Sequence, residues 1–255
     1  MVKILMNQYS ESEILKRFDS SAETYKSNSD VQKYVAIKLA EACKTESIPS
    51  GLWLDLGSGT GLLADIIETK TPNQSVVRID YSKKMLLQQD TSKTKIIWNL
   101  NEGIPLFKED PKLIASSFLL HWLKDPEKKL YEWFSLLERD SWIAIAIPIC
   151  GCFAEWKEAA DEASVPFTAN NLPQPNSILK YIENSNIKYN RIISYKDIGP
   201  NPTYLLKKII NVGAHTKNHQ SLKPSQWKKL KNKWIEKKNG ATVLTWLIQI
   251  VLIKK

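Results

Sequence analysis

The sequence contains few of the residues that characterise several classes of protein. Its 255 residues include only 9 glycines and 3 cysteines, which excludes a collagen-like chain and a disulfide-stapled scaffold. An odd number of cysteines in a chain of this length favours a reducing compartment. With 43% hydrophobic and 25% charged residues, the chain has enough apolar material to offset the entropy lost on folding. The length allows one large domain or two small ones.

The sequence also lacks a hydrophobic run long enough to cross a membrane. The longest, over 243–253, is interrupted by Thr245 and Gln249 and falls well short of the roughly 20 residues that a spanning helix needs. The opening residues, MVKILMNQYSESE, turn polar too soon for a signal peptide. These features predict a cytoplasmic protein that does not associate with membranes.

Acidic residues are outnumbered by basic ones. The chain has 36 Lys and Arg against 27 Asp and Glu, a formal charge of +9, and such a surface attracts nucleic acid, a membrane face or an acidic protein. Lysine is concentrated over 217–238, where Glu236 is the single acid. Trp227, Leu230 and Trp234 recur there at helical spacing, so one helix face is expected to pack inward while the lysines face water. This lysine face is either a docking surface for an acidic partner or a solubilising face.

The apolar pattern changes near residue 51. Residues 1–50 show helical spacing and predict two amphipathic helices, with Asp30 as the N-cap of the second. Over 51–150, short apolar runs alternate with helical segments, and this alternation predicts a parallel sheet with helices on both faces.

Beyond residue 150 the pattern is less regular. The segment 151–240 is expected to form a helical cap insertion that includes a strand near 189–195, and 241–255 the final strand. We therefore expect a single α/β domain that carries an N-terminal helical addition and this insertion.

Three of the nine glycines fall within five residues, at Gly57, Gly59 and Gly61, between an apolar strand and an apolar helix. Glycines at the carboxyl end of a parallel strand let the backbone approach a ligand closely, and the following helix start offers free N–H groups. Asp80 ends the next apolar strand, where a carboxylate can accept hydrogen bonds from both hydroxyls of a ribose. A glycine-rich loop alone can be a structural turn, but the loop and the carboxylate together predict a nucleoside site.

The spacing distinguishes between nucleoside ligands. The dinucleotide pattern has glycine where this chain has Leu62, and the phosphate-binding Walker pattern needs a lysine that is absent between Gly51 and Glu68. The pattern acid-x-Gly-x-Gly-x-Gly, followed by an acid at the end of the second strand, resembles the class I S-adenosylmethionine-dependent methyltransferases. The resemblance implies a Rossmann-like sheet of seven strands, mostly parallel with an antiparallel last strand, and S-adenosylmethionine as the cofactor.

The same resemblance implies roles for individual residues. The loop passes beside the methionine part of the cofactor, Asp55 orders the loop and the amino group, and Asp80 holds the ribose. Tyr81 lies near the adenine, and Met85 is either an adenine contact or a core contact of the next helix. The expected cofactor-binding residues in the first four strand ends are Asp55, Gly57, Ser58, Gly59, Gly61, Asp80, Tyr81, Met85 and Ser117.

The chain departs from the family at the adenine end. The family usually places an Asp after the third strand to bind the adenine amino group, whereas this sequence has Leu100 there, flanked by Asn99 and Asn101. An Asn amide oxygen accepts the same hydrogen bond, so both asparagines are candidates. The departure leaves open which of them binds adenine.

Short segments along the chain resemble a narrower family, the malonyl-acyl-carrier-protein O-methyltransferases of biotin synthesis. They lie in the first two helices, at the second and fourth strands and in the insertion: 16–25, 31–32, 79–86, 116–122, 167–173, 212–215 and 225–226. Within them, His121 stands where the family commonly has Gln. The resemblance implies methylation of the free carboxylate of malonyl on acyl carrier protein, an acidic partner, before its elongation toward biotin.

Methylation of a carboxylate needs alignment and exclusion of water rather than a general base, because the carboxylate is already ionised at neutral pH. Accordingly, neither a Ser/His/Asp set nor a metal-ligand cluster is apparent in the sequence. Tyr25 and His121 are the catalytic candidates, Tyr25 by orienting the carboxylate under a helical lid and His121 by lining the pocket. Arg17 and Phe118, with Tyr25, are the substrate-binding candidates. A packed Tyr, a solvated Arg and a hydrogen-bonded His are the structural alternatives.

Three other functions remain open at this point, one of which is a cofactor-binding protein without catalysis, because the adenine position at Leu100 is altered. A related methyltransferase with the same cofactor site can act on a quinone-like small molecule. The basic charge also allows an RNA-binding methyltransferase, but the tryptophans at 227 and 234 have core spacing rather than that of an exposed stacking surface, so nucleic acid is the less expected partner.

Overall fold

A computed structural model of the chain describes residues 10–214, 222–234 and 241–255. His215 and part of the predicted lysine face, including Lys217 and Glu236, lie outside the described residues. Within the described ranges, no helix is both long enough and apolar enough to span a bilayer.

The described residues form one sheet of seven strands, in the spatial order β3-β2-β1-β4-β5-β7-β6. In chain order the strands are β1 Leu52–Leu56, β2 Val76–Asp80, β3 Lys95–Ile97, β4 Pro111–Ser117, β5 Trp142–Pro148, β6 Ile187–Gly199 and β7 Thr242–Lys254. The first five are parallel, and β7 is antiparallel to both of its neighbours. The predicted Rossmann-like sheet with an antiparallel last strand is therefore confirmed. Strand order reverses at β1, and open α/β sheets bind ligands outside the carboxyl ends of the strands at such a point.

Helices cover both faces of this sheet. They are α1 Glu11–Asn28, α2 Asp30–Lys44, α3 Leu62–Lys70, α4 Lys83–Leu87, α5 Pro126–Ser135, α6 Ala154–Glu162, α7 Pro202–Asn211 and α8 Pro224–Lys233. Side chains of β1 alternate between two buried clusters: Trp53 packs in the cluster that contains Leu39 of α2, and Leu54 in the one that contains Trp133 of α5. Alternation on a strand with both faces covered places the core in two layers, one on each side of the sheet.

The junction of α1 and α2 differs from the prediction. Asp30 is the first residue of α2 and Ser29 occupies the capping position, so the prediction of Asp30 as N-cap is wrong. The Asp30 carboxylate instead accepts a hydrogen bond from Lys208 Nζ of α7 at 2.7 Å. The carboxylate thus ties α2 to the insertion, a long-range contact that local sequence does not signal.

The strand predicted near 189–195 is longer than expected. It extends over Ile187–Gly199 because it pairs with β7 along almost its whole length. Its ends carry polar residues such as Lys188 and Lys196, which suit an edge strand and which mask the alternation of a half-buried one.

Candidate functional site

The glycine turn follows β1 and leads into α3. Gly57, Gly59 and Gly61 have φ angles of 72°, 53° and 89°, in the left-handed region that favours glycine. A Cβ atom added at Gly57 would lie 2.9 Å from the Leu119 side chain, whereas one added at Gly59 would meet nothing within 4 Å. The backbone at Gly59 therefore borders open space.

Asp80 fixes this turn from the end of β2. Its Oδ2 accepts the backbone N–H of Gly59 at 2.8 Å, and its Oδ1 accepts that of Ser82 at 2.7 Å. Burial raises the pKa of Asp80 to about 6, although the two backbone N–H groups favour the ionised form. Each carboxylate oxygen keeps lone-pair capacity for a further donor.

Two further polar side chains order the base of the turn. Asp55 is buried on β1 and accepts the N–H of Ala64 in α3 at 3.2 Å, and burial raises its pKa to about 7. Gln89 donates to Ser58 Oγ at 3.1 Å and to the Gly59 carbonyl at 2.7 Å. Gln89 was not among the predicted residues, because a glutamine just beyond a helix has no motif that links it to a glycine turn.

A cavity of about 800 Å³, which we call the crevice, opens beside the turn. Its lining includes most of the predicted cofactor-binding residues, namely Gly57, Gly59, Asp80, Tyr81, Met85, Asn99, Asn101 and Ser117. Of the three other predicted residues, Asp55 and Ser58 line a smaller adjoining space with Ser117, and Gly61 lines neither the crevice nor that space. Strands far apart in the sequence thus bring nearly all of the predicted set to one edge of the sheet.

The two asparagines at the far end of the crevice are held in place by hydrogen bonds. The Asn99 amide oxygen accepts the Asn101 N–H at 3.1 Å, and its nitrogen donates to Glu11 of α1 at 2.8 Å. The Asn101 amide oxygen accepts the N–H of Lys124 at 3.0 Å. The Glu11 carboxylate also pairs with Lys124 Nζ at 2.6 Å. The first turn of α1 is therefore anchored at this end of the crevice.

Helix α1 lies over the crevice and is tied to both sides of it. Ser82 Oγ donates to Asp19 at 2.5 Å, and Lys26 Nζ donates to the Gln88 carbonyl at 3.1 Å. On the other side, Thr24 Oγ1 donates to the Asn211 carbonyl of α7 at 2.9 Å. The predicted helical lid thus spans from the glycine-turn half of the sheet to the insertion.

A second cavity, of about 970 Å³, adjoins the crevice beneath α1 and the insertion. We call it the aromatic cavity, because its lining includes Phe153, Trp156 and Trp246. The two cavities share four lining residues, Phe18, Tyr25, Phe118 and Trp122.

Tyr25 stands at this junction. Burial, together with the negative charges of Asp80 and Asp55, raises the pKa of Tyr25 far above its usual value, so its hydroxyl stays protonated. Phe118 adopts a φ of 58°, which is uncommon for a bulky residue, and its ring packs edge-on against those of His121 and Trp246.

His121 lines the aromatic cavity but not the crevice. Burial lowers its pKa to about 3, so the imidazole is neutral at physiological pH. Arg17, on the same helix as Tyr25, is not among the residues that line either cavity. Its assignment to the substrate stays a prediction.

Several buried polar atoms at the site lack a hydrogen-bond partner within the described part of the chain. They include Ser117 Oγ in the crevice and Gln32 Oε1, which borders the aromatic cavity and the space behind the turn. Buried polar groups are normally paired, so these two atoms are exceptions among the described residues. Gln32 lies in the segment that resembled the narrower family, but it was not predicted as a site residue.

Comparisons with known proteins agree with this geometry. A family model described as a methyltransferase domain matches residues 54–145, which include the glycine turn and Asp80. The chain is 24% identical over 247 residues to malonyl-[acyl-carrier protein] O-methyltransferase 2 of Coxiella burnetii, with 95% of each chain covered. It is 21% identical over 254 residues to malonyl-[acyl-carrier protein] O-methyltransferase of a Marinomonas species, covering 95% of this chain and 93% of that one.

Solved structures give the same fold. A Bacillus halodurans protein assigned as a methyltransferase superposes with a TM-score of 0.57 at 11% identity, over 85% of this chain and 98% of that one. The plantazolicin methyltransferase BpumL, solved in complex with SAH, superposes with a TM-score of 0.51 at 14% identity over 96% of each chain.

Proposed function

We propose that the chain is a class I S-adenosylmethionine-dependent methyltransferase and that it methylates the free carboxylate of malonyl carried on acyl carrier protein, forming the methyl ester. The observation that carries the proposal is the junction of two cavities at Tyr25, one beside the glycine turn and one beneath the insertion. A methyl donor in one cavity and an acceptor in the other come into contact where the two cavities join. The acceptor is suggested by the two relatives that match along nearly the whole chain.

The residues of the crevice fit the cofactor. A Cβ at Gly59 would enter open space, which leaves room for a ligand against the backbone, and Ser117 Oγ is a buried hydroxyl that lacks a partner among the described residues. We assign Asp80 to the ribose, Tyr81 and Met85 to the adenine faces, and Asn99 and Asn101 to the adenine edge. The methionine end is assigned to the glycine turn with Asp55, Ser58 and Ser117.

S-adenosylmethionine, when bound, would supply an electrophilic methyl group on a sulfonium, so that a carboxylate oxygen bonds to the methyl carbon while the carbon–sulfur bond breaks and the neutral thioether leaves, without any proton transfer. The chain therefore needs no general base, and the pKa of His121, lowered by burial to about 3, makes its imidazole a weak base. What the chain supplies is orientation of the carboxylate and exclusion of water. Helix α1, tied across both cavities, excludes water.

Tyr25 is assigned to orient the acceptor. Its raised pKa keeps the hydroxyl protonated, so it donates a hydrogen bond to one carboxylate oxygen. A neutral donor recognises the carboxylate without forming an ion pair, which would reduce the nucleophilicity of the oxygen. Phe118, at the same junction, separates the reacting groups from the rest of the aromatic cavity.

We assign the docking of the acyl carrier protein to the described part of the lysine face, on α8. Lys228 and Lys229 are exposed there, while Trp234 at the end of α8 stacks on Trp156 of the aromatic cavity, with ring centroids 5.5 Å apart. The basic surface is thus one aromatic ring away from the acceptor cavity. An acidic carrier docked on α8 would present its acyl group close to that cavity.

The test is transfer of label from methyl-labelled S-adenosylmethionine to malonyl carrier protein. We expect labelling that is lost when the malonyl carboxylate is esterified beforehand, and rescue of a biotin-requiring strain that lacks this step. Reversal of charge at Lys228 and Lys229 should raise KM for the carrier substrate and reduce its salt dependence. Lys128→Glu, on the exposed surface of α5, is the matched control. Absence of labelling with active cofactor binding would contradict the proposal.

One observation favours a second acceptor. Among the described residues, the lining of the aromatic cavity contains no charged side chain. Such a cavity also suits a neutral, quinone-like small molecule. Turnover of such an acceptor in the absence of any malonyl labelling would establish this alternative.

A further inference from the structure

Helix α1 brings an acidic side chain to the crevice. The residues of α1 that line the crevice recur at helical spacing: Glu11, Ile14, Leu15, Phe18 and Tyr25. Glu11 therefore belongs to the helix face that covers the crevice. Its side chain is 30% exposed, which leaves it accessible to a ligand. Glu13, in the same helical turn, is not among the residues that line either cavity and completes the N-terminal cap of α1 with Ser10.

The Glu11 carboxylate lies beside the asparagines at the far end of the crevice. Its Oε1 pairs with Lys124 Nζ at 2.6 Å, and its Oε2 accepts a hydrogen bond from the Asn99 amide nitrogen at 2.8 Å. The hydrogen bonds from Lys124 and Asn99 lower the pKa of Glu11 below its ordinary value, so the carboxylate is ionised at neutral pH. A carboxylate has about four lone-pair sites, so Glu11 can accept from a further donor.

The two asparagines offer less acceptor capacity than this carboxylate. The Asn99 amide oxygen already accepts the Asn101 N–H at 3.1 Å, and the Asn101 amide oxygen accepts the Lys124 N–H at 3.0 Å. Among the described residues that line the crevice, the acids are Glu11 and Asp80, and Asp80 is assigned to the ribose. Hydrogen bonds to a carboxylate are stronger than those to an amide oxygen. Glu11 is therefore the strongest acceptor at the adenine end.

We propose that Glu11 determines the nucleobase specificity of the crevice by accepting a hydrogen bond from the exocyclic amino group of adenine. The inference rests on the proposed function for the identity of the cofactor. An amino group donates to a carboxylate, whereas a carbonyl oxygen at the same position of the base is repelled by it. Asn99 keeps its place at the adenine edge and orients the carboxylate. Because Tyr25 lies on the same helix, adenine held by Glu11 also holds α1 over the junction of the two cavities.

The experiment compares two ligands of the full chain by titration calorimetry, S-adenosylhomocysteine and S-inosylhomocysteine, in which a carbonyl oxygen replaces the amino group. The wild type should bind the adenosyl compound about tenfold more tightly, and Glu11→Ala should reduce this preference to about threefold or less. Loss of the tie between α1 and Asn99 weakens both ligands alike, so it cancels in the ratio. Glu13→Ala is the matched control, because it removes another acid of the same turn and should leave the preference unchanged.

A second replacement should produce a gain of binding. Glu11→Gln offers an amide N–H that can donate to the carbonyl oxygen of the inosine base, so it should bind S-inosylhomocysteine about threefold more tightly than the wild type does. Damage to the lid cannot cause such a gain. An unchanged preference in Glu11→Ala, or equal affinities in the wild type, would overturn the inference while the proposed function stands. Failure of the wild type to bind S-adenosylhomocysteine would instead overturn the proposed function, and this inference with it.

Discussion

The crevice and the aromatic cavity are built in different ways. Most of the crevice lining comes from the strand ends between residues 55 and 119, where Gly59 and Ser82 donate their N–H groups to Asp80. The aromatic cavity is shaped by side chains from α1, α2, the insertion and β7, and two of its polar groups, on Trp156 and Trp246, are unpaired among the described residues. The crevice thus depends mostly on residues close together in the sequence and the aromatic cavity on distant packing, which lets one change while the other is kept.

The largest expected effect tests the crevice. Asp80→Ala should weaken S-adenosylmethionine binding by about 2–4 kcal/mol, roughly 30-fold to 1,000-fold, because two acceptor oxygens for the ribose and the anchor of the Gly59 N–H are lost together. Titration calorimetry measures it. Asp90→Ala is the control, since Asp90 also accepts the N–H two residues further on, at 2.8 Å, but is exposed and outside the crevice. An affinity within twofold of wild type would remove Asp80 from the site.

The next effect concerns the junction of the two cavities. Tyr25→Phe should lower kcat on malonyl substrate by about tenfold, the loss of one hydrogen bond to a charged group, and leave cofactor affinity unchanged. Tyr34→Phe on α2 is the control, because the Tyr34 ring packs 5.2 Å from that of Tyr195 and is not among the residues lining either cavity. If kcat for Tyr25→Phe equals that of wild type, the Tyr25 hydroxyl is structural.

Binding of the cofactor and binding of the acceptor should depend differently on pH. The pKa of Asp80 is about 6, so cofactor affinity should be constant above about pH 7 and fall by up to about tenfold per pH unit below 6, as the protonated carboxyl loses acceptor capacity. Stability responds with the opposite sign: because the folded pKa lies above the ordinary value, Asp80 contributes more stability as pH falls through 6.

Binding of the acceptor in the aromatic cavity should show no such pH dependence. His121, with a pKa of about 3, should add no titration to KM for the acceptor between pH 5 and 8. Calorimetry of the wild type and of Asp80→Asn measures the pH dependence of cofactor affinity. Steady-state kinetics measures the pH dependence of KM for the acceptor. A pH-independent cofactor affinity down to pH 5 would place the Asp80 pKa lower than described here.

The smallest expected effect concerns a residue behind the glycine turn. Gln89→Ala removes two hydrogen bonds that hold Ser58 and Gly59, and should weaken cofactor binding about twofold to fivefold. Gln74→Ala is a close control, because Gln74 is a buried glutamine that bonds both backbone groups of Gly51, at the other end of β1. Both variants should have a lower melting temperature than the wild type, but only Gln89→Ala should change the affinity for the cofactor. If Gln89→Ala binds the cofactor as tightly as Gln74→Ala does, Gln89 only stabilises the fold.

Much of the cofactor half was readable from the sequence. The glycine turn, Asp80 at the end of β2 and the strand–helix alternation depend on local spacing, and the structure places them as that spacing predicts. Residues that contact the site from distant parts of the sequence could not be predicted. Gln32, Gln89 and Glu11 reach the site only because separate helices pack there, and no local pattern distinguishes them from ordinary surface or core residues.

The sequence by itself determined the alternation of strands and helices over 51–150, the glycine turn and the carboxylate beside it, because strand period, glycine conformation and short-range spacing are local properties of the chain. Tertiary structure alone decided that α1 ties the two halves together, that Tyr25 borders both cavities, and that Trp156 of α6 and Trp246 of β7 line the same cavity. The physical reason is that close packing fixes which distant side chains share a wall, and it does so only when the whole core is assembled.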